Sequence, residues 1–316
     1  MKNFYAAISL LLLISKPVSA QHYSLLSQYM YNGLMINPAY AGTNGATDIT
    51  FSTRRQWTGL SESPATSVVS LNSPLQNEKL NLGFIFVDDK IGPASRQTVN
   101  GIYAYRLKMG TYRLSFGIQA GLQFSRTNWD ELLRNDQNDD LLLGLNPRAI
   151  GATTGAGLYL NNNNSFFSLS APYLVNTGSY KAFGYGPVIL NAGLKISMKD
   201  SSQIKPSFLF RYEKGSPVQF DLGFLYSWKK KVGLGAAYRF KESIIAMLEI
   251  PLQEQFLLVY SYDAGIGPIK KYHNGSHEIM LRYIMTKAPV KELKDSTKEA
   301  ETNPDNEKKE KPQEKK

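Results

Sequence analysis

The chain has 316 residues and no cysteine, which excludes disulfides, thiolate metal centres and thiol nucleophiles. Its formal net charge of +10 is not gathered into a basic face or a recognisable module, so nucleic acid is excluded as a partner. No later stretch approaches the roughly 18 apolar residues that a membrane-spanning helix needs.

Residues 1–20 read as a signal peptide: Lys2 supplies the positive start, an apolar run covers 6–14, and Val18-Ser19-Ala20 is a small-residue cleavage site. The mature chain is then expected to begin at Gln21, and loss of Lys2 and Lys16 leaves 10 − 2 = +8. Residues 21–46 form an N-terminal segment with turn chemistry. Asn37-Pro38 forces Asn37 out of the α region, while Ala41-Gly42 and Asn44-Gly45 allow sharp reversals. Two readings stay open for it: a plug folded into the mouth of a barrel, or an ordered periplasmic lead-in covering the rim.

From 47 to 286 the sequence is a succession of alternating segments ended by Gly, Pro, Asn, Asp or Lys clusters, the pattern of strands joined by turns. Between 112 and 124, Tyr112, Leu114, Phe116, Ile118, Ala120, Leu122 and Phe124 share one face, opposite Arg113, Ser115, Gly117, Gln119, Gly121 and Gln123. About fourteen such segments are predicted, at 47–57, 65–72, 79–87, 97–108, 112–125, 148–160, 165–172, 188–199, 203–213, 217–228, 231–241, 244–252, 255–263 and 277–285. An even count with one wholly apolar face and tyrosines near strand ends predicts an all-β fold, a transmembrane antiparallel β-barrel. The connections differ in length between the two ends, although 214–216 and 242–243 on the expected outer side are also short. Short ones at 73–78, 109–111, 161–164, 199–202, 229–230 and 253–254 predict the periplasmic side, and longer ones, including 58–64, 88–96, 126–147 and 264–276, the outside. Both termini are then expected in the periplasm, with outer-membrane lipid around the wall.

In the longest connection Trp129, Leu132, Leu133, Leu141 and Leu142 are unusually apolar for a solvated loop and predict a partner surface. The three histidines, His22, His273 and His277, stand in no metal-binding or catalytic motif, although Asp263 with His273 or His277 keeps a barrel hydrolase open as an alternative. No catalytic, cofactor-binding or metal-binding residues are assigned. From 287 to 316 the chain turns to Lys, Glu, Asp, Pro and Asn, with nine lysines against eight acids. Such a polyampholyte cannot bury enough surface to offset its chain entropy, and it is expected to be a disordered periplasmic tail.

Three ordered motifs carry a family resemblance. They are the run from Gln28 through Asn32, Asn37, Pro38, Ala39 and Tyr40 to Gly42, then Arg54-Arg55-Gln56-Trp57-Thr58-Gly59, then Asp88-Asp89-Lys90-Ile91-Gly92-Pro93. In these the chain resembles the PorP/SprF family of Bacteroidetes membrane proteins. The resemblance implies a non-enzymatic outer-membrane component of the type IX secretion and gliding machinery that assists export or surface attachment of client proteins such as adhesins. It also implies a periplasmic secretion-machinery or peptidoglycan-binding partner. The competing reading is a passive diffusion channel, because a barrel of about fourteen strands is wide enough for an open lumen.

Overall fold

The computed structural model describes residues 26–75, 79–128, 148–179, 182–184 and 186–285. The expected signal peptide, the loop residues Trp129, Leu132, Leu133, Leu141 and Leu142, and the tail from 287 lie outside the described residues.

The described strands are β1 (Asp48–Arg55), β2 (Ala65–Pro74), β3 (Leu80–Ile91), β4 (Ala94–Met109), β5 (Tyr112–Thr127), β6 (Arg148–Asn161), β7 (Ser165–Ser179), β8 (Ala182–Gly184), β9 (Val188–Leu194), β10 (Ile196–Ser197), β11 (Gln203–Tyr212), β12 (Gln219–Trp228), β13 (Val232–Arg239), β14 (Ser243–Pro251), β15 (Phe256–Gly265) and β16 (Ser276–Ile284). Each pairs antiparallel with its neighbours, and β1 pairs with both β2 and β16, so the sheet closes on itself. The short β10 continues the line of β9 against β11, and β8 folds back on the far end of β7. Without those two pieces the wall has 16 − 2 = 14 strands. The expected fourteen-stranded antiparallel barrel is therefore the observed fold. Closure matters because it leaves no unpaired strand edge to be satisfied in lipid.

The alternation in sequence becomes an inside and an outside. On β5, Ile118 is 61% exposed on the outer face while Ser115 is fully buried within the lumen; on β12, Leu222 is 52% exposed and Asp221 fully buried. Phe116, Leu122, Phe124 and Phe224 share the outer face, and Gln119 and Gln123 point inward. An apolar band facing out and a polar lumen is the reverse of a soluble protein and is what a bilayer requires.

One expected outer connection, 88–96, is instead strand. β3 runs to Ile91 and β4 begins at Ala94, with Asp88, Asp89 and Lys90 opposite Gln97, Arg96 and Ser95. Only Gly92-Pro93 separates them, and Gly92 adopts a φ of 54° that admits the tight reversal. Polar residues mark the point where a strand leaves lipid, not where it ends. Even so, five of the seven connections at this end, 56–64, 128–147, 180–187, 213–218 and 266–275, are longer than any at the other. The two ends are hereafter the loop end and the turn end. At the turn end, the Ser202 backbone N–H and hydroxyl donate to Asp200 and hold its carboxyl below the usual carboxylate range.

Candidate functional site: the segment folded inside the barrel

Residues ahead of β1 occupy the lumen. Ser27, Gln28, Asn32, Asn37, Ala39 and Ala41 are almost wholly buried, as are Leu26, Tyr29, Leu34 and Ile36. The segment makes two short 3-10 turns, Gly33–Met35 and Pro38–Tyr40. Proline at the first position of the second turn has no N–H to leave unsatisfied, and Asn37 caps it by accepting from the Ala39 N–H at 2.8 Å.

The wall is shaped to receive it. Inward-facing positions are apolar where the segment is apolar: Leu34 and Ala41 pack with Val68, Ile85, Ile102 and Ala104, while Tyr31 packs with Leu225, Ile245, Met247, Val259 and Met280. Where the backbone of the segment touches the wall, glycine stands opposite. A Cβ on Gly117 would collide with the backbone of Pro38 and Ala39, and one on Gly157 would collide with the Asn37 side chain.

Several polar groups of the segment are held by the wall, although Gln28 Oε1 and the hydroxyls of Tyr29, Tyr31 and Thr43 are buried without a partner among the described residues. The Asn32 amide donates to Ser70 Oγ at 2.9 Å, and the Asn37 amide donates to Leu158 O at 2.8 Å and to Ser168 Oγ at 2.7 Å. At the turn end, Gly42 N–H donates to Asn72 Oδ1 at 2.5 Å, and Arg106 donates to the Gly42 and Ala41 carbonyls at 2.9 and 3.0 Å. Tyr40 lies edge-on to Tyr159, with ring centroids 5.5 Å apart.

Toward the loop end the segment meets a buried belt of charge. The N–H groups of Ser27 and Gln28 both donate to the Glu278 carboxylate, at 2.8 and 3.1 Å, and Ser27 Oγ donates to Asp263 at 2.6 Å. Arg54 bridges the same two acids, 2.7 Å from Asp263 and 3.2 Å from Glu278. Arg239 extends the belt, 3.1 Å from Asp221 and 3.7 Å from Asp263. The Gln28 amide donates to Glu278 O and Ser261 Oγ. Carboxylates accepting backbone N–H bonds form charge-assisted contacts stronger than neutral ones. The belt therefore fixes the start of the segment to three wall strands at once.

The sequence-predicted residues divide accordingly. Gln28, Asn32, Asn37, Pro38, Ala39, Tyr40 and Gly42 come together in the lumen. Arg55, Gln56 and Trp57 do not: Arg55 is exposed on the outer face, and Gln56 and Trp57 form the loop that follows, with the Trp57 N–H donating to Ser276 Oγ. Asp89 is buried and accepts from Thr66 Oγ1 at 2.6 Å near the loop end, beside the Gly92-Pro93 reversal. Arg54, Asp263 and Glu278 were missed as a set. Their signal is in the alternation, since Asp48, Thr50, Ser52 and Arg54 are one polar face of β1.

The hydrolase pairing is not assembled. Asp263 faces the lumen and is engaged by Arg54 and Ser27, whereas His277 lies on the outer face of β16 with Nδ1 at 2.7 Å from Tyr260 OH. His273 Nδ1 accepts from the Gly275 N–H in the loop. Among the described residues no group of three His, Cys, Asp or Glu side chains is placed to hold a metal ion.

Solved structures with a similar chain path include outer-membrane proteins. Omp33 of Acinetobacter baumannii is 8% identical with a TM-score of 0.45, covering 76% of this chain and 98% of its own. The toluene transporter TbuX of Ralstonia pickettii is 8% identical with a TM-score of 0.47, covering 80% and 92%. The outer membrane phospholipase A of Escherichia coli is 12% identical with a TM-score of 0.36, covering 76% and 96%. No curated protein matches the chain in sequence. Residues 18–283 match the profile of the type IX secretion system membrane protein PorP/SprF, and this barrel with its folded luminal segment belongs to that family.

Proposed function

We propose that this chain is a non-enzymatic, plugged outer-membrane component of type IX secretion that assists export or surface attachment of client proteins such as adhesins, with a periplasmic machinery partner. One observation carries the choice of a scaffold over a diffusion channel: residues 26–43 lie buried across the lumen and are bonded to the wall from the charge belt to Arg106. A channel needs a continuous wet path, and a segment bonded to the wall at Ser27, Asn32, Asn37 and Gly42 obstructs that path. Membership of the family supports the secretion role.

The orientation proposed is turn end in the periplasm and loop end outside, following the connection lengths. The C-terminal end of β16, at Met285 beside Thr47, is then periplasmic. Ser27, however, lies at the level of Arg54 and Asp263, toward the loop end. The described chain therefore starts toward one end of the barrel and finishes at the other, and the expected mature N-terminus at Gln21 lies outside the described residues.

Planar-bilayer recording of the intact protein tests the scaffold reading. It should show no large steady openings, and removal of residues 28–42 should create them. In cells lacking this protein, surface display of type IX clients should fall and be restored by the intact chain. Steady porin-like conductance from the intact protein, with client display unchanged by its loss, would turn the reading to a diffusion channel.

A further inference from the structure

Beneath the luminal segment, at the turn end, lies a cavity of about 360 Å³. Met30 and Tyr31 of the segment roof it, and its wall includes Tyr159, Phe166, Lys195 and Lys205. This volume falls within the range of small-ligand sites, which combine apolar walls with a few convergent polar groups.

The two lysines are the unusual feature. Gly193 pairs with Ser207, and Ile196 pairs with Ile204, so Lys195 stands directly opposite Lys205 across the β9–β11 seam. Both fall on the inward parity, with Ile189 and Asn191 on one strand and Leu209 and Arg211 on the other. Directly opposed side chains have Cβ atoms only about 4.5–5.5 Å apart, and like charges so placed destabilise a sheet. Neither lysine forms an ion pair among the described residues. The cavity's other charged residues are Glu249 and Arg282. Glu249 accepts from Ser227 Oγ, and Arg282 is already set against Asp48 at 3.7 Å. With Arg282 offset by Asp48, two lysines against Glu249 leave the cavity with one positive charge in excess.

The remaining lining narrows the chemistry. Tyr159 and Phe166 stack at 5.7 Å, and Phe166 lies over the bare backbone of Gly193, where a Cβ would meet its ring. That pair offers a flat apolar surface. Asn161 Oδ1 is buried beside it without a hydrogen-bond donor. An orphaned acceptor calls for an N–H, which a fatty acid lacks and a peptide provides.

We propose that this cavity binds the carboxylate end of a peptide whose terminal side chain is aromatic or aliphatic. The carboxylate sits between Lys195 and Lys205, the side chain lies on Tyr159 and Phe166, and a peptide N–H donates to Asn161. Because Met30 and Tyr31 form the roof, the ligand also touches the luminal segment.

The test uses the full-length protein in a non-ionic detergent and calorimetric titration with N-acetyl-alanyl-phenylalanine, its C-terminal amide, and decanoate. The free acid should bind, weaken with added salt, and exceed the amide by about ten-fold or more, as expected for loss of a hydrogen bond to a charged group. Lys195→Gln with Lys205→Gln should lower affinity for the acid by a similar factor while leaving heat-modifiable barrel migration intact. Should that variant fail to fold, the acid-to-amide ratio on the native protein decides alone. Equal binding of acid and amide, no binding of either, or tighter binding of decanoate would each overturn the proposal.

Discussion

Arg54 and Arg55 are neighbours in sequence and sit on opposite faces of the wall. Arg55 is exposed, while Arg54 is buried between Asp263 and Glu278. The period of two makes this separation unavoidable once the register is set. It was legible in the polar run of Asp48, Thr50, Ser52 and Arg54, but the partners of Arg54 lie more than two hundred residues away, and no local pattern announces them. Removing one member of a buried charge set leaves the others uncompensated, a loss of about 3–5 kcal/mol. Arg54→Ala should therefore lower the urea midpoint of the folded barrel strongly, and Arg55→Ala should barely move it; equal effects would contradict the assigned faces. On the outer face the argument reverses. Ile118, near the middle of β5 and 61% exposed, meets lipid, so Ile118→Arg should cost about 2–4 kcal/mol. Folding into vesicles of the arginine variant beside Ile118→Leu measures that difference.

Among the elements, the strands were the most legible and the luminal segment the least. Alternation placed all fourteen wall strands because lipid and lumen impose opposite demands on successive residues. It failed at 88–96, where charged residues continue β3 and β4 beyond the apolar band. The segment at 26–43 has no period of its own, since its shape is borrowed from the wall. Its trace in the sequence is indirect: Ile245 and Met247 alternate with the equally apolar Ile244 and Ala246, so β14 is apolar on both faces, which a water-filled lumen does not call for. Glycine supplies the second trace. Gly117 sits where its Cβ would enter the Pro38–Ala39 backbone, so Gly117→Val should dislodge the segment without touching the outer face. Limited proteolysis should then cut between Leu26 and Thr43 in the variant and spare the native protein. A segment that stays resistant in the variant would mean that the close approach is not what holds it.

For the whole molecule, the proposed orientation rests on the inequality of the two ends. Long connections cross a membrane poorly during assembly from the inside, and barrels of this kind keep short turns in the periplasm. Loops 56–64 and 266–275 share one end, and reversals 110–111 and 229–231 share the other. The absence of native cysteine makes the arrangement directly measurable. Lys270 is exposed at the loop end and Thr111 at the turn end, so Lys270→Cys should react with a membrane-impermeant maleimide on intact cells, and Thr111→Cys only after the outer membrane is opened. An epitope at Lys316 should follow Thr111, because β16 delivers Met285 to the turn end. That placement would leave the positively charged cavity under Tyr31 open to periplasmic peptides and the charge belt around Arg54 nearer the cell surface. Reaction of Thr111→Cys on verified intact cells would invert the barrel and move the peptide site to the outside.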